Sequence, residues 1–104
     1  MTEERNVQCP HCHERKERSP QEVRSLLNRL SRIEGQVRGL RSMVERDAYC
    51  PDVLRQAAAA TAALESFERE LLASHIRTCV VEDIRQGKDE TIDELLCTLR
   101  QMMK

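Results

Sequence analysis

Three side chains in the chain have the types that bind a soft metal ion: Cys50, His75 and Cys79. His75 and Cys79 are four residues apart, a spacing that places both side chains on one face of an α-helix. Two thiolates and one imidazole make a soft site of low coordination number, which suits Cu(I), whereas Zn(II) would require a fourth ligand. Taken alone, each residue has a plainer interpretation, because a helical cysteine is often only a small core residue.

The distance along the chain decides how these three residues could meet. Nothing interrupts a second helix between Pro51 and about Gln86, and Gly87 is a natural stop. Cys50 precedes His75 by 25 positions (75 minus 50), which is about 37 Å along a straight helix. An antiparallel partner helix that crosses near residue 63 would place Cys50 beside the His75 and Cys79 of a second copy. The spacing therefore predicts a dimer with two equivalent sites.

Two further helices flank this one. Ser19 and Pro20 form a strong helix start, with Glu22 completing a capping box, and the first helix should extend to about Asp47. A third helix should occupy about 89–103. Apolar residues recur along the first helix with helical spacing: Val23, Leu26, Leu27, Leu30, Ile33, Val37, Leu40 and Val44.

These elements predict an all-α fold. The protomer has three helices and forms an antiparallel four-helix-bundle dimer, with a dimer of dimers as the further expectation. Gly35 and Gly39 lie four apart on the first helix, and each costs helix stability, so they indicate a close approach of another helix or of DNA. One stripe of the second helix is expected to face inward: Leu54, Ala57, Thr61, Leu64, Glu68, Leu71 and His75.

Composition and charge point to partners. With 104 residues and only 2% aromatic residues, one chain has little material for a large core, so burial between subunits should stabilise it. The net charge of −1 hides an asymmetry. Residues 15–46 contain nine Lys and Arg against four Asp and Glu, whereas residues 47–104 contain seven against eleven. The basic half favours a polyanionic partner such as nucleic acid.

The cysteines and the first residues predict the cellular compartment. The N-terminal residues 1–5 have no apolar stretch typical of a secretory signal, and no segment is apolar enough to span a membrane. We therefore expect a cytoplasmic protein with reduced thiols. Cysteines in that setting indicate metal or thiol chemistry rather than a disulfide framework.

Residues 1–18 are predicted to form a flexible tail, and residues 19–104 to form the helical domain. The tail contains a second set of possible ligands, which could bind an accessory Zn(II) or Cu(I) ion or be incidental: Cys9, His11, Cys12 and His13. Cys97 is expected to be a core residue of the third helix. No catalytic residues are predicted, because the sequence contains no nucleophile–base arrangement and no phosphate-binding loop.

The chain resembles the copper-sensitive operon repressors, a family with nickel-, formaldehyde- and sulfide-responsive relatives. The resemblance covers roughly residues 20–103. It rests on four motifs in order: Asn28–Leu40, Asp47–Leu54, Ser74–Cys79 and Ile92–Leu95. The resemblance implies a repressor that binds operator DNA without metal and releases it on binding Cu(I), with residues 19–104 as its metal-sensing and DNA-binding domain. Having both His75 and Cys79 matches the copper branch rather than the branches that lack one of them.

The resemblance also implies roles for other residues. Tyr49 and Glu94 match positions that hydrogen-bond the free ring nitrogen of the ligating histidine. The implied DNA-contacting residues are Arg29, Arg32, Arg55 and Gln56. One further arginine of the family's DNA surface is replaced here by Ser66, which leaves the extent of that surface open.

The sequence leaves two alternatives open. The chain could be a repressor of the same fold that senses sulfide, formaldehyde or another metal. It could also be a helical metal-storage or metal-carrier protein in which the arginines only solvate a helix face. Binding of the chain to its own upstream DNA, with and without Cu(I), separates these hypotheses.

Overall fold

The computed structural model describes residues 18–103, and these form helices and short connections, without a strand in that range. Helix α1 spans Pro20–Glu45, and helix α2 spans Cys50–His75. A π-helical segment, Ile76–Val80, leads directly into the short helix α3, Val81–Arg85, and helix α4 spans Glu90–Met102. The predicted all-α fold is confirmed, with helix limits close to those expected from the sequence.

The helix boundaries have local causes. The Ser19 side chain accepts a hydrogen bond from the backbone N–H of Glu22 at 3.1 Å, and Pro20 occupies the first helical position, as predicted. Asp47, with a φ of 57°, turns the chain between α1 and α2. The Tyr49 carbonyl then accepts the first backbone hydrogen bonds of α2, so the helix begins at Cys50.

Helices α1 and α2 form an antiparallel hairpin within a compact unit that extends to Leu72. Two contacts define its register. The Arg29 guanidinium hydrogen-bonds Ser66, and a Cβ placed on Gly39 would lie 3.7 Å from the side-chain nitrogen of Gln56. That distance is an ordinary contact, and a Cβ on Gly35 would meet nothing within 4 Å. The close approach expected at these glycines is therefore not made inside the hairpin.

The hairpin has a very small interior of its own. Its buried apolar residues are Ile33 and Ala60, which lie on the facing sides of the two helices. A second apolar row of α1 is exposed: Val23, Leu27, Val37 and Val44. The stripe of α2 that was expected to face inward is also largely open, since Leu54, Thr61, Leu64 and Glu68 are exposed. The reason is that α1 packs against the neighbouring row of α2, which contains Ala60, and leaves this stripe uncovered.

A second compact unit comprises the described residues from Ala73 onward. The sequence predicted one uninterrupted helix here, but the chain widens into a π-turn, in which the Val81 N–H bonds the Ile76 carbonyl. Thr78 contributes a local cause, because its hydroxyl donates to the Ser74 carbonyl at 2.8 Å, a back-bond that competes with regular helical bonding. Gly87, with a φ of 81°, ends α3 as expected.

Helix α4 packs against the π-helical segment. The buried residues of this unit are mostly polar, since Asp83, Thr91 and Glu94 accompany Val80. No helix within residues 18–103 has the length and apolar character needed to cross a membrane.

Candidate metal centre and basic surface

Cys50 is the first residue of α2, and its side chain is exposed as a free thiol. Its neighbours are exposed as well: Tyr49 is 73% and Leu54 is 68% accessible. Large apolar side chains are usually covered in a folded assembly, and an exposed cluster of them marks an interaction surface. The thiol therefore lies on a surface with the character of a contact site.

His75 and Cys79 lie at the junction of α2 and the π-helical segment. His75 is the last residue of α2, Cys79 is the fourth residue of the π-helical segment, and both are half-buried. Cys79 is a free thiol, and the Thr78 hydroxyl lies 3.7 Å from its sulfur. Single π-turns within α-helices frequently occur at functional sites. The π-turn at Ile76–Val80 contains the candidate ligand Cys79 and directly follows the candidate ligand His75.

Glu94 is one of the most buried polar residues of the described chain, with 7% of its surface accessible. It lies on α4, the helix that packs against the π-helical segment containing Cys79. Tyr49, the other residue implied to contact the metal-binding histidine, is exposed at the start of α2. The two residues that the resemblance implies as contacts of His75 thus differ, because Glu94 is buried in the C-terminal unit whereas Tyr49 is exposed.

Within residues 18–103 of one chain, no three side chains of the His, Cys, Asp and Glu types converge to hold a metal ion. The proposed ligands nevertheless have the right chemistry, because Cys50 and Cys79 are both free thiols rather than disulfide-bonded. Cys97 is also free and is half-buried on α4. The predicted accessory ligands lie outside the described residues: Cys9, His11, Cys12 and His13.

The basic surface lies on α1. A shallow groove is formed by polar and cationic side chains that follow one another at helical spacing: Gln21, Arg24, Ser25, Asn28, Arg29 and Arg32. Arg32 is exposed, whereas Arg29 is half-buried, because its Nη1 donates to the Ser66 hydroxyl at 3.2 Å. Clustered guanidinium groups on one helix face are suited to contact the phosphates of a nucleic acid.

The other two implied DNA-contacting residues lie on α2. Arg55 donates to Asp52 at 2.8 Å in an exposed ion pair. An anionic DNA phosphate would have to compete with this carboxylate for the Arg55 guanidinium. Gln56 is half-buried beside Gly39 on α1. The structure therefore separates the groove residues Arg29 and Arg32 from Arg55, whose charge is already paired.

Sequence reasoning missed the partner of Arg29. In the sequence, Ser66 is distinguished only by the resemblance, as a position where an arginine is absent, and nothing indicates that it faces Arg29 across 37 positions. The antiparallel register was the available signal, since folding the chain back about residues 46–49 places position 29 near position 66.

Comparison with known proteins identifies the family. The family described as metal-sensitive transcriptional repressor matches residues 22–101. The chain belongs to this family. Its fold agrees, because the copper-sensing repressor CsoR with Cu(I) from Geobacillus thermodenitrificans NG80-2 superimposes with a TM-score of 0.83 at 40% identity, over 86% of this chain and 95% of that one. The nickel-responsive regulator InrS matches with a TM-score of 0.68 at 37% identity, over 86% and 98% of the two chains.

This repressor-family chain also resembles copper sensors in sequence. It is 43% identical to the copper-sensing transcriptional repressor CsoR of Bacillus subtilis (strain 168) over 88 residues, which are 84% of this chain and 87% of the relative. It is 49% identical to the copper-sensing repressor RicR of Mycobacterium tuberculosis (strain H37Rv) over 59 residues, 57% of this chain and 62% of the relative. As a member of a transcriptional repressor family, the chain is not an enzyme.

Proposed function

We propose that the chain is a cytoplasmic, Cu(I)-responsive transcriptional repressor that binds operator DNA without metal and releases it when Cu(I) binds, so that copper-resistance genes are expressed. The observation that carries this proposal is the donor set Cys50, His75 and Cys79 in a chain of the metal-sensitive repressor family. Two thiolates with one imidazole favour Cu(I) over harder divalent ions. The similarity to copper-sensing relatives supports the same choice of metal.

The metal would be held between two copies of the chain. Cys50 is the first residue of α2 and His75 is the last. Because an α-helix rises about 1.5 Å per residue, a straight helix of this length does not bring its own ends together. An antiparallel second copy supplies Cys50 to the His75 and Cys79 of its partner. The absence of a three-ligand cluster among the described residues of one chain agrees with this arrangement.

The exposed apolar rows support the assembly. Leu54 and Leu64 lie on the stripe of α2 that α1 leaves open, and both are exposed in the single chain. The second row of α1, which contains Leu27 and Val37, is exposed as well. Two separate uncovered faces are consistent with a dimer that pairs again into a tetramer, since each face can be buried against another copy.

DNA binding is the experiment that tests the function. The probe is a labelled DNA fragment from upstream of the gene, which contains the expected operator. Its affinity for the protein is measured by fluorescence anisotropy at fixed salt concentration. We expect tight binding by the metal-free protein and at least a fivefold loss of affinity with saturating Cu(I), since coupling between two sites typically amounts to about 1–3 kcal/mol. Release by Ni(II) but not by Cu(I) would indicate a different inducer, and no DNA binding in any state would indicate a metal carrier.

Replacing Arg29 with alanine should weaken DNA binding by about tenfold or more while Cu(I) affinity stays nearly unchanged, because a charge-assisted hydrogen bond to phosphate is lost. DNA affinity should also fall less steeply with increasing salt concentration, because about one counterion fewer is released for each phosphate contact that is removed. Arg100→Ala is the matched control, because it removes the same charge from an exposed position on α4. Equal effects of the two substitutions would argue against a specific DNA surface on α1.

A further inference from the structure

The hydrogen bond between Arg29 and Ser66 differs from the arginine contacts that form within one stretch of the chain. It joins α1 to α2 across the hairpin, and both residues are half-buried. In contrast, Arg46 bonds Ser42 and Arg55 bonds Asp52 at exposed positions within four residues. Local pairs of that kind constrain a long side chain very little. The contact between the helices fixes the direction in which the Arg29 guanidinium points.

The chemistry of the partner matters as much as its position. A carboxylate in the place of Ser66 would neutralise the guanidinium, as Asp52 does for Arg55. The serine hydroxyl accepts one N–H and leaves the positive charge, together with the remaining N–H donors, available for another ligand. Arg29 also lines the groove that contains Arg24 and Arg32. Within residues 18–103, the contact with Ser66 therefore orients the Arg29 cation without neutralising it, and the groove places it beside two other arginines.

We propose that Ser66 is a positioning residue for DNA binding, which holds the Arg29 guanidinium in the direction required to contact a DNA phosphate. A free arginine loses side-chain entropy when it is immobilised on its ligand, and an arginine that is already held loses less. Ser66 thus raises DNA affinity although it lies on the other helix. The inference rests on the proposed function, since it concerns the DNA surface of the repressor.

The test is a double-mutant cycle between Ser66 and Arg29, measured on operator DNA with metal-free protein over a range of salt concentrations. Ser66→Ala should weaken binding by about threefold to tenfold, the usual net effect of one hydrogen bond. Ser66→Thr retains the hydroxyl and should restore most of that loss. In an Arg29→Ala background, Ser66→Ala should have no further effect, because the group that it positions is gone.

Ser42→Ala is the matched control, since it removes a serine that also accepts from an arginine, but at an exposed position within one helix. It should leave DNA affinity unchanged. Thermal unfolding and Cu(I) stoichiometry of each variant show whether the fold is intact. The salt dependence should keep its slope in Ser66→Ala, because the phosphate contact of Arg29 is weakened and not removed, whereas the slope should flatten in Arg29→Ala.

The outcomes separate the two proposals. If Ser66→Ala leaves DNA affinity unchanged, or tightens binding, Ser66 does not position Arg29 for DNA and the inference is wrong. An equal loss from Ser66→Ala in the Arg29→Ala background would also overturn it, because the effect would not pass through Arg29. Failure of the unmodified protein to bind operator DNA would instead overturn the proposed function.

Discussion

A mixture of Cys50→Ala chains with chains that contain both His75→Ala and Cys79→Ala should recover Cu(I) binding that neither variant shows alone. In the mixed dimer, the second chain supplies Cys50 and the first supplies His75 and Cys79, so one of the two shared sites is complete. Each parent dimer lacks at least one ligand at both sites. Cu(I) stoichiometry should therefore rise from near zero to about half of that of the unmodified protein in the mixed species.

The measurement is a competition with a chromogenic Cu(I) chelator under anaerobic conditions, after subunits have exchanged and the mixed dimer has been isolated by two affinity tags. The matched control is Cys97→Ala, which removes another free and half-buried thiol. That variant should retain full stoichiometry. A mixed dimer without Cu(I) binding would show that the three residues do not form a site between two chains.

The second large effect concerns how metal binding is coupled to DNA release. We expect Glu94→Gln and Tyr49→Phe to retain Cu(I) binding within about tenfold to a hundredfold, the usual effect of residues that support a metal ligand. Both should reduce the difference in DNA affinity between the metal-free and Cu(I)-loaded protein by about 1–3 kcal/mol. The reason is that His75 would bind the metal through one ring nitrogen and hydrogen-bond these side chains through the other.

The structure supports this link most directly for Glu94. It is buried on α4, and α4 packs against the π-helical segment that contains Cys79. Glu94→Gln preserves the volume of the buried side chain, and Glu90→Gln is its control at an exposed position of the same helix. If Glu94→Gln and Tyr49→Phe both bind Cu(I) and release DNA as fully as the unmodified protein, the coupling does not depend on these hydrogen bonds. The metal would then act by drawing the chains together through Cys50 and Cys79.

Much of this molecule is determined by local sequence. The Ser19 cap, Pro20 and the positive φ of Gly87 set helix limits through interactions that span only a few residues, so they could be predicted and are confirmed. The candidate ligands could also be identified, because residue type decides metal preference and the four-residue spacing places His75 and Cys79 near one another. Their joint role with Cys50 remains a prediction.

Other features depended on the tertiary structure. The π-turn at Ile76–Val80 was not predicted, because it arises from a small shift in backbone bonding that leaves no clear periodic signal. The burial of Glu94 follows from the packing of α4, and a carboxylate on a charged helix would otherwise be taken as exposed. The bond from Arg29 to Ser66 exists only because the hairpin brings two helices into one register. Periodicity shows which residues share a helix face. Only the packing of the helices decides which residues of one helix contact which residues of the other.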